Sequence, residues 1–312
     1  MIDRGAVLPR VVLPTGPSRP AVAVRAAWSP RPLPADSRVA RSLLYRLLLC
    51  GAGMAVMALS SIVLTARADD GERCSDAALD AARTLAGPDA VAEPVDAHCR
   101  RWPYAPSIEL VAAAFARGGA DAQSDAGGRA LTGVLAMLDG DTAGVLASHV
   151  MPLDEDALLA VGEGSLRLDT ARYDLAPGVR AIGLVVESRA PGPSCPDGRF
   201  NRELTLFVRE GARLRPVLGT WLEQWQIVEG NPCAWSAQAY ADQTAKLSIG
   251  VESSQHAGFN DLALMADVER YAKTVDGVES TSRYRKRRVL RYDGASYTPD
   301  PWQLMFFWAE AP

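Results

Sequence analysis

The feature that most constrains this chain is an uncharged run of 20 residues from Leu47 to Ala66, with an arginine on each side. A positive flank, an apolar core and the small-x-small exit Ala66-Arg67-Ala68 are the layout of a secretory signal peptide, with cleavage expected after Ala68. The run is longer than the usual apolar core of about 7–15 residues, so an uncleaved N-terminal membrane anchor is the alternative interpretation. Both interpretations place the body outside the cytoplasm, because arginine-rich flanks are retained inside. The expected localisation is periplasmic or secreted, or anchored in the inner membrane if the run is uncleaved.

The run divides the chain into three segments. Residues 1–38 are rich in proline and arginine without periodicity, which predicts a disordered segment or one that precedes the true start. Residues 39–68 are the signal peptide or anchor, and residues 69–312 form the exported body. Residues 1–68 hold nine arginines and two aspartates, so the chain's 33 basic and 37 acidic residues leave residues 69–312 with a net charge of −11. This acidity argues against nucleic acid as a partner. The body is long enough for one domain or for two that divide near 152–164.

Four cysteines remain in the exported body: Cys74, Cys99, Cys195 and Cys233. An even number of cysteines in an exported chain predicts two disulfides, with three possible connectivities. Proximity in sequence favours Cys74–Cys99 and Cys195–Cys233. No C-x-x-C pair is present, which argues against a zinc site.

The body is predicted to be mainly β, with antiparallel hairpins in a sandwich or propeller-like arrangement and a short helix at its start. The helix covers Ser75 to Ala86 and stops at Gly87-Pro88. Short apolar runs separated by turns, without a βαβ rhythm, indicate antiparallel strands. The predicted strands are 108–116, 131–138, 145–150, one beginning near 166, 179–187, 202–209, 213–218, 221–228, 245–252, 261–268, 284–292, 295–298 and 303–308.

Two short stretches carry more specific expectations. Asp293-Gly294 predicts a hairpin turn that leads into the strand at 295–298, and the aromatic stretch from Trp302 to Trp308 predicts a strand that closes the core. Gly258 to Leu264 resembles the FG-GAP repeats of β-propellers over seven residues but lacks their acidic calcium loop.

Two groups of side chains are candidate ligand-binding residues. Trp221 and Trp225 would share one face of a strand, where they could stack on a sugar or a peptide, or else fill the core. Arg283, Arg285 and Arg287 would share one face of another strand in the single basic run of the body. They protect a sheet edge, or they bind the phosphates of lipopolysaccharide or anionic lipid.

The sequence contains no G-x-S-x-G, S-x-x-K, H-E-x-x-H or P-loop motif, so we predict neither catalytic residues, nor a metal, nor a cofactor. Asp139 to Val150 resembles a calcium loop only at its start, since Ala143 and Val150 occupy ligand positions. The leading hypothesis is a non-catalytic binding or structural protein of the cell envelope, with an envelope glycan or an anionic lipid as partner. The alternative is a periplasmic hydrolase with catalytic groups on β loops, for which Asp154, Glu155 and Asp156 are candidate acids. Whether the chain is an enzyme stays uncertain, with a binding role favoured.

Overall fold

β-strands are the main secondary structure of the described part of the chain, and they follow a single α-helix. The structure is a computed structural model that describes residues 73–119, 122–231, 233 and 238–309, so the predicted signal peptide or anchor lies outside them. The elements are α1 (Asp76–Ala86), β1 (Ala90–Arg101), β2 (Ile108–Arg117), β3 (Leu131–Asp139), β4 (Val145–Pro152), β5 (Leu166–Ala176), β6 (Val179–Val186), β7 (Gly198–Glu210), β8 (Arg213–Glu229), β9 (Tyr240–His256), β10 (Phe259–Lys273), β11 (Glu279–Leu290) and a 3-10 helix (Pro301–Leu304). In this part of the chain, no helix has the length and apolar character that a membrane crossing requires.

Antiparallel hairpins build the sheet, as the sequence predicts. The strand order is β1-β2-β3-β4-β8-β7-β6-β5, and β9, β10 and β11 continue from β8. β4 meets β8 through a single parallel pair, Ser148 with Arg213. The long strand β8 pairs with β7 along most of its length and with β9 at its C-terminal end. β8 therefore joins the two halves of the sheet.

Three buried clusters show that the strands are stacked in layers. The first fills the space between β1–β4 and β5–β8 and includes Leu135, Ile182 and Phe207. The second lies on the other side of β5–β8, against β9–β11 and the C-terminal segment, and includes Leu264 and Trp308. Since successive residues of a strand point to opposite faces, a central layer buried on both sides needs nearly continuous apolar runs. β6 has such a run, and the packing is that of stacked sheets.

The third cluster holds α1 against the outer face of β1–β3. Ser75 caps the helix by accepting a hydrogen bond from the backbone of Ala78, and the fully buried Ala78 and Ala82 allow a close approach to the sheet. The Cys74–Cys99 disulfide ties the start of this helix to β1. The second disulfide joins Cys195 to Cys233, so the pairing favoured by sequence proximity is confirmed.

The C-terminal predictions were wrong in detail. The turn at Asp293 forms, with its backbone N–H donating to the carbonyl of Ser296. The residues after it do not pair with β11, because Thr298 instead meets Leu218 of β8 as an isolated parallel bridge. The predicted strand at 303–308 is replaced by the 3-10 helix and turns, since Asp300 and Pro301 form a helix start and Phe306 adopts a left-handed φ of 50°.

Candidate functional site

A cavity of about 540 Å³, called the cleft below, is the strongest candidate site in the described residues. It lies between the C-terminal end of β4, the loop that follows it, and strands β6, β7 and β8. The 3-10 helix at 301–304 forms the remaining wall. The volume falls within the usual range for small-ligand pockets, about 300–1,000 Å³.

Three aromatic rings form one wall of the cleft: Phe200 of β7, Trp221 of β8 and Trp302 of the 3-10 helix. The ring centroids of Phe200 and Trp221 are 4.2 Å apart. Trp302 meets both rings edge-on, at 5.0 Å from Phe200 and 4.6 Å from Trp221. Trp221 is 5% exposed, whereas Trp302 is 54% exposed. Trp302 therefore offers ring surface to a ligand, and the two others hold it in place.

The C-terminal segment brings Trp302 to this wall by docking on β8. The backbone N–H of Gly219 donates to the carbonyl of Thr298 at 2.7 Å. A Cβ atom on Gly219 would lie 2.4 Å from the carbonyl oxygen of Pro299, so this approach requires glycine. Asp300 then caps the 3-10 helix, its Oδ1 accepting from the N–H of Trp302 at 3.0 Å.

An unusual backbone conformation in β7 shapes another part of the cleft lining. Arg202 has a φ of 58°, a left-handed conformation that is rare for a non-glycine residue and that clusters at functional sites. The side chain of Asn201 stabilises it by accepting from the N–H of Arg202 and from that of Ser188, both at 2.8 Å. This link fastens the end of β6 to β7 at the edge of the cleft.

Glu203, the next residue of β7, is the most distinctive ionisable group of the cleft. Among the described residues its carboxyl group has neither a hydrogen-bond donor nor a cation as partner. Burial raises the pKa of Glu203 above its usual range, and the negative charge of Asp300 raises that pKa further. An acidic group whose pKa is shifted by burial in a cavity is a frequent mark of a functional site.

The other charged groups of the cleft have more partners. Asp154 forms an ion pair with Arg117, and Asp156 accepts from the N–H groups of Leu158 and Leu159, both at 2.7 Å. The guanidinium of Arg202 donates to Glu223 at 3.0 Å and lies 3.8 Å from Glu187. The positive charge of Arg202 is thus offset by two carboxylates.

The two tryptophans predicted as one platform have different surroundings. Trp221 lies in the aromatic wall of the cleft. Trp225 lies farther along β8, where the guanidinium carbon of Arg199 is 6.0 Å from its ring centroid, and it does not line the cleft. Trp221 is a buried residue that also lines a cavity, so its role in ligand binding stays a prediction.

The basic strip of Arg283, Arg285 and Arg287 lies on β11, which pairs only with β10 and forms a sheet edge within the described residues. Each arginine has a carboxylate partner: Arg283 with Glu269 at 2.6 Å, Arg285 with Asp267 at 2.5 Å and Arg287 with Glu252 at 2.6 Å. The first two pairs line an open depression of about 750 Å³. An incoming anion would have to compete with these carboxylates, so the cleft is the better candidate site despite its smaller volume.

The candidate acids of the loop after β4 are separated by the fold. Asp154 and Asp156 line the cleft, while Glu155 is only 8% exposed and accepts two hydrogen bonds from the guanidinium of Arg129, at 2.8 and 2.6 Å. These bonds hold the pKa of Glu155 below its usual range. Glu155 is therefore a structural residue that fixes the loop.

Asp139 likewise stabilises its own turn, with Oδ1 accepting from the hydroxyl and the N–H of Thr142. No group of three possible metal ligands occurs in the part of the chain that the structure describes.

Sequence reasoning missed one arrangement at the β9–β10 hairpin. The Nδ1 atom of His256 lies 2.7 Å from Oδ1 of Asp261, and the hydroxyl of Ser254 donates to Oδ2 of Asp261 at 2.7 Å. The serine thus bonds to the aspartate and not to the histidine, unlike the order of a catalytic triad.

It also missed Phe200, Glu203, Asp300 and Trp302. The one local signal for them was Asp300-Pro301, which is typical of a helix start next to an exposed tryptophan. The sequence matches no protein-family model, and searches of curated proteins and of solved structures find no significant match.

Proposed function

We propose that this chain is an exported protein of the cell envelope that binds a glycan in the cleft without catalysing a reaction. The observation that carries the proposal is the half-exposed ring of Trp302, fixed by Phe200 and Trp221. It lies in the same cavity as the carboxyl group of Glu203, which has no hydrogen-bond donor or cation as partner among the described residues. Aromatic faces stack on the apolar faces of sugar rings, while carboxyl groups accept hydrogen bonds from sugar hydroxyls. Such a site combines an apolar wall with a few placed polar groups, as ligand pockets do.

Export is the second part of the proposal. Two disulfides staple the described residues, and such bonds persist in the periplasm or outside the cell. The apolar run at 47–66 supplies the expected export signal. The intact mass of the protein from its native host tests this part: cleavage gives a chain that begins at Asp69, whereas an anchor gives a mass that includes residues 47–66. A reduced protein recovered from the cytoplasm would refute export.

Glycan binding is testable by titrating soluble oligosaccharides from the cell envelope while following tryptophan fluorescence and the heat of binding. We expect Trp302→Ala to weaken binding at least tenfold, which corresponds to about 1.4 kcal/mol. Trp225→Ala is the matched control, because it removes a half-buried tryptophan of the same sheet outside the cleft. Equal losses in the two variants would contradict a site in the cleft.

The structure offers less support for an anionic lipid or lipopolysaccharide as partner, because every arginine of the strip has a carboxylate neighbour. This partner stays a prediction with its own test. If Arg285→Glu with Arg287→Glu abolishes binding to vesicles that contain anionic lipid, the strip is an anion site. Retained vesicle binding would remove the strip as the site.

A periplasmic hydrolase is the second candidate function, and the pKa of Glu203 favours it. Two neighbouring carboxyl groups in different environments can act as acid and base, and here burial and the nearby charge of Asp300 raise the pKa of Glu203. Products formed from a bound oligosaccharide, lost in Glu203→Gln while binding persists, would establish this function. Binding without turnover would establish the first.

A further inference from the structure

We propose that the ligand of the cleft carries a positive charge: a protonated organic amine, of which an oligosaccharide with free amino groups is the form that also fits the aromatic wall. This inference rests on the proposed glycan-binding function and adds the charge of the ligand to it.

The charges that line the cleft are the first step of the argument. Glu203, Asp300 and Asp156 have no cationic partner among the described residues, whereas Asp154 is paired with Arg117. The cation that also lines the cleft, Arg202, is offset by Glu223 and Glu187. The cleft therefore has an excess of negative charge, which attracts cations and repels anions.

The aromatic wall is the second and independent step. An organic cation is attracted to the face of an aromatic ring, and tryptophan is the most effective of the aromatic residues. Trp302 is 54% exposed, and both Trp302 and Trp221 line the same cavity as Glu203. A cavity lined by both acidic groups and aromatic rings fits an ammonium group attached to a carbon skeleton.

A metal ion would neutralise the negative charge of the cleft, but it would not use the aromatic wall. No set of three metal-ligating side chains occurs within the residues that the structure describes. The aromatic wall and the size of the cavity, about 540 Å³, favour an organic ligand of several ring atoms over a bare ion.

Binding of a cation should also be coupled to a proton. In the free protein, burial and Asp300 raise the pKa of Glu203. A positive charge placed beside this carboxyl group favours its ionised form and lowers that pKa. The affinity should therefore rise as the pH is raised through the range in which Glu203 ionises in the free protein.

The experiment compares short chitosan oligosaccharides with fully N-acetylated oligosaccharides of the same length, by calorimetry at pH 6. The two probes share their sugar rings and differ at the nitrogen, which is a protonated amine in one and a neutral, larger acetamide in the other. We expect the amine form to bind at least tenfold more tightly. Glu203→Gln should remove most of this preference, and Asp300→Asn should reduce it. Glu229→Gln, which changes an exposed carboxylate at the end of β8, should preserve it.

Each result has a defined meaning. If the N-acetylated form binds as tightly as the amine form and its binding is lost in Trp302→Ala, the positive charge is refuted while glycan binding in the cleft stands. If neither form binds, both proposals fail. If the amine form binds but Trp302→Ala and Glu203→Gln bind it unchanged, the attraction comes from the acidic surface as a whole, and the site proposed here is refuted. Circular dichroism spectra of the variants check that they are folded.

Discussion

Two tryptophans six positions apart in the C-terminal segment should differ strongly in how much stability is lost when each is replaced by alanine. Trp308 is fully buried in the cluster between β5–β8 and β9–β11. Its indole N–H donates to the side-chain oxygen of Gln224 at 3.1 Å. The N–H of Phe306 donates to the same oxygen at 2.8 Å, so Gln224 keeps a partner when Trp308 is truncated. The cost of Trp308→Ala is then the lost burial and the cavity, about 3–5 kcal/mol of unfolding free energy.

Trp302 lies on the surface of the cleft, so its replacement by alanine would remove only its edge-on ring contacts with Phe200 and Trp221. An aromatic pair contributes about 0.5–1.5 kcal/mol beyond its buried area, so we expect Trp302→Ala to cost about 1–2 kcal/mol. For a domain of this size, about 2–4 °C of melting temperature corresponds to 1 kcal/mol. Trp308→Ala should therefore lower the melting temperature by about 6–20 °C, and Trp302→Ala by only a few degrees.

Urea unfolding followed by far-ultraviolet circular dichroism measures the unfolding free energies of both variants without relying on tryptophan emission. Trp308→Phe is a useful intermediate, because it keeps most of the ring volume and loses the hydrogen bond to Gln224. The reasoning would be refuted if Trp308→Ala cost less than about 1 kcal/mol, or no more than Trp302→Ala. Either result would mean that the C-terminal segment is not docked as described.

Steric crowding at a glycine, the Glu155–Arg129 ion pair and one disulfide give further predictions that unfolding experiments can test. Gly219→Ala should cost about 1–3 kcal/mol by overpacking, whereas Gly250→Ala, where a Cβ meets no atom within 4 Å, should be neutral or stabilising; equal effects would contradict this packing. Glu155→Gln should cost about 2–3 kcal/mol at neutral pH. The depressed pKa of Glu155 contributes stability that is present above the unfolded-state pKa of about 4.3 and is lost as the pH falls through the lower folded-state value. The difference in unfolding free energy between the unchanged protein and Glu155→Gln should therefore shrink below about pH 4. A constant difference down to about pH 2 would disprove the role of the charge. Replacing Cys74 and Cys99 by serine should cost about 3–4 kcal/mol on the loop-entropy account, and a loss below about 1 kcal/mol would show that α1 and β1 hold together without the bond.

The hairpins of this fold could be predicted from sequence because their turns have local signals. Gly140 and Gly144 would weaken a helix but suit the turn between β3 and β4, so the strands at 131–138 and 145–150 were identified correctly. β1 was missed because Pro94 interrupts its pattern. The structure shows why proline is tolerated there: β1 lies at the sheet edge and its register shifts at Pro94, and an edge strand can accommodate a residue without an N–H donor.

The C-terminal strand was predicted wrongly because composition dominated the interpretation. Aromatic residues are enriched in strands, and the stretch from Trp302 to Trp308 has four of them. The inference that this segment closes the core was right, since Leu304 and Trp308 are buried. Its conformation follows instead from the helix start at Asp300 and from the left-handed Phe306.

The cleft could not be predicted from sequence because its lining comes from distant parts of the chain. Glu203 and Trp221 are direct partners in the pairing of β7 with β8, whereas the predicted strands 213–218 and 221–228 were separate and gave no such pair. Trp302 joins them only because the C-terminal segment returns to β8 and forms a parallel contact at Leu218, and a single parallel bridge leaves no periodic pattern. Gly219 is the residue that permits this return. In the sequence it lies between the predicted strands 213–218 and 221–228, and nothing local marks it as a contact point. The same docking that buries Trp308 therefore positions Asp300 and Trp302, so the acidic and aromatic groups of the cleft come together only when the last layer of the fold has formed.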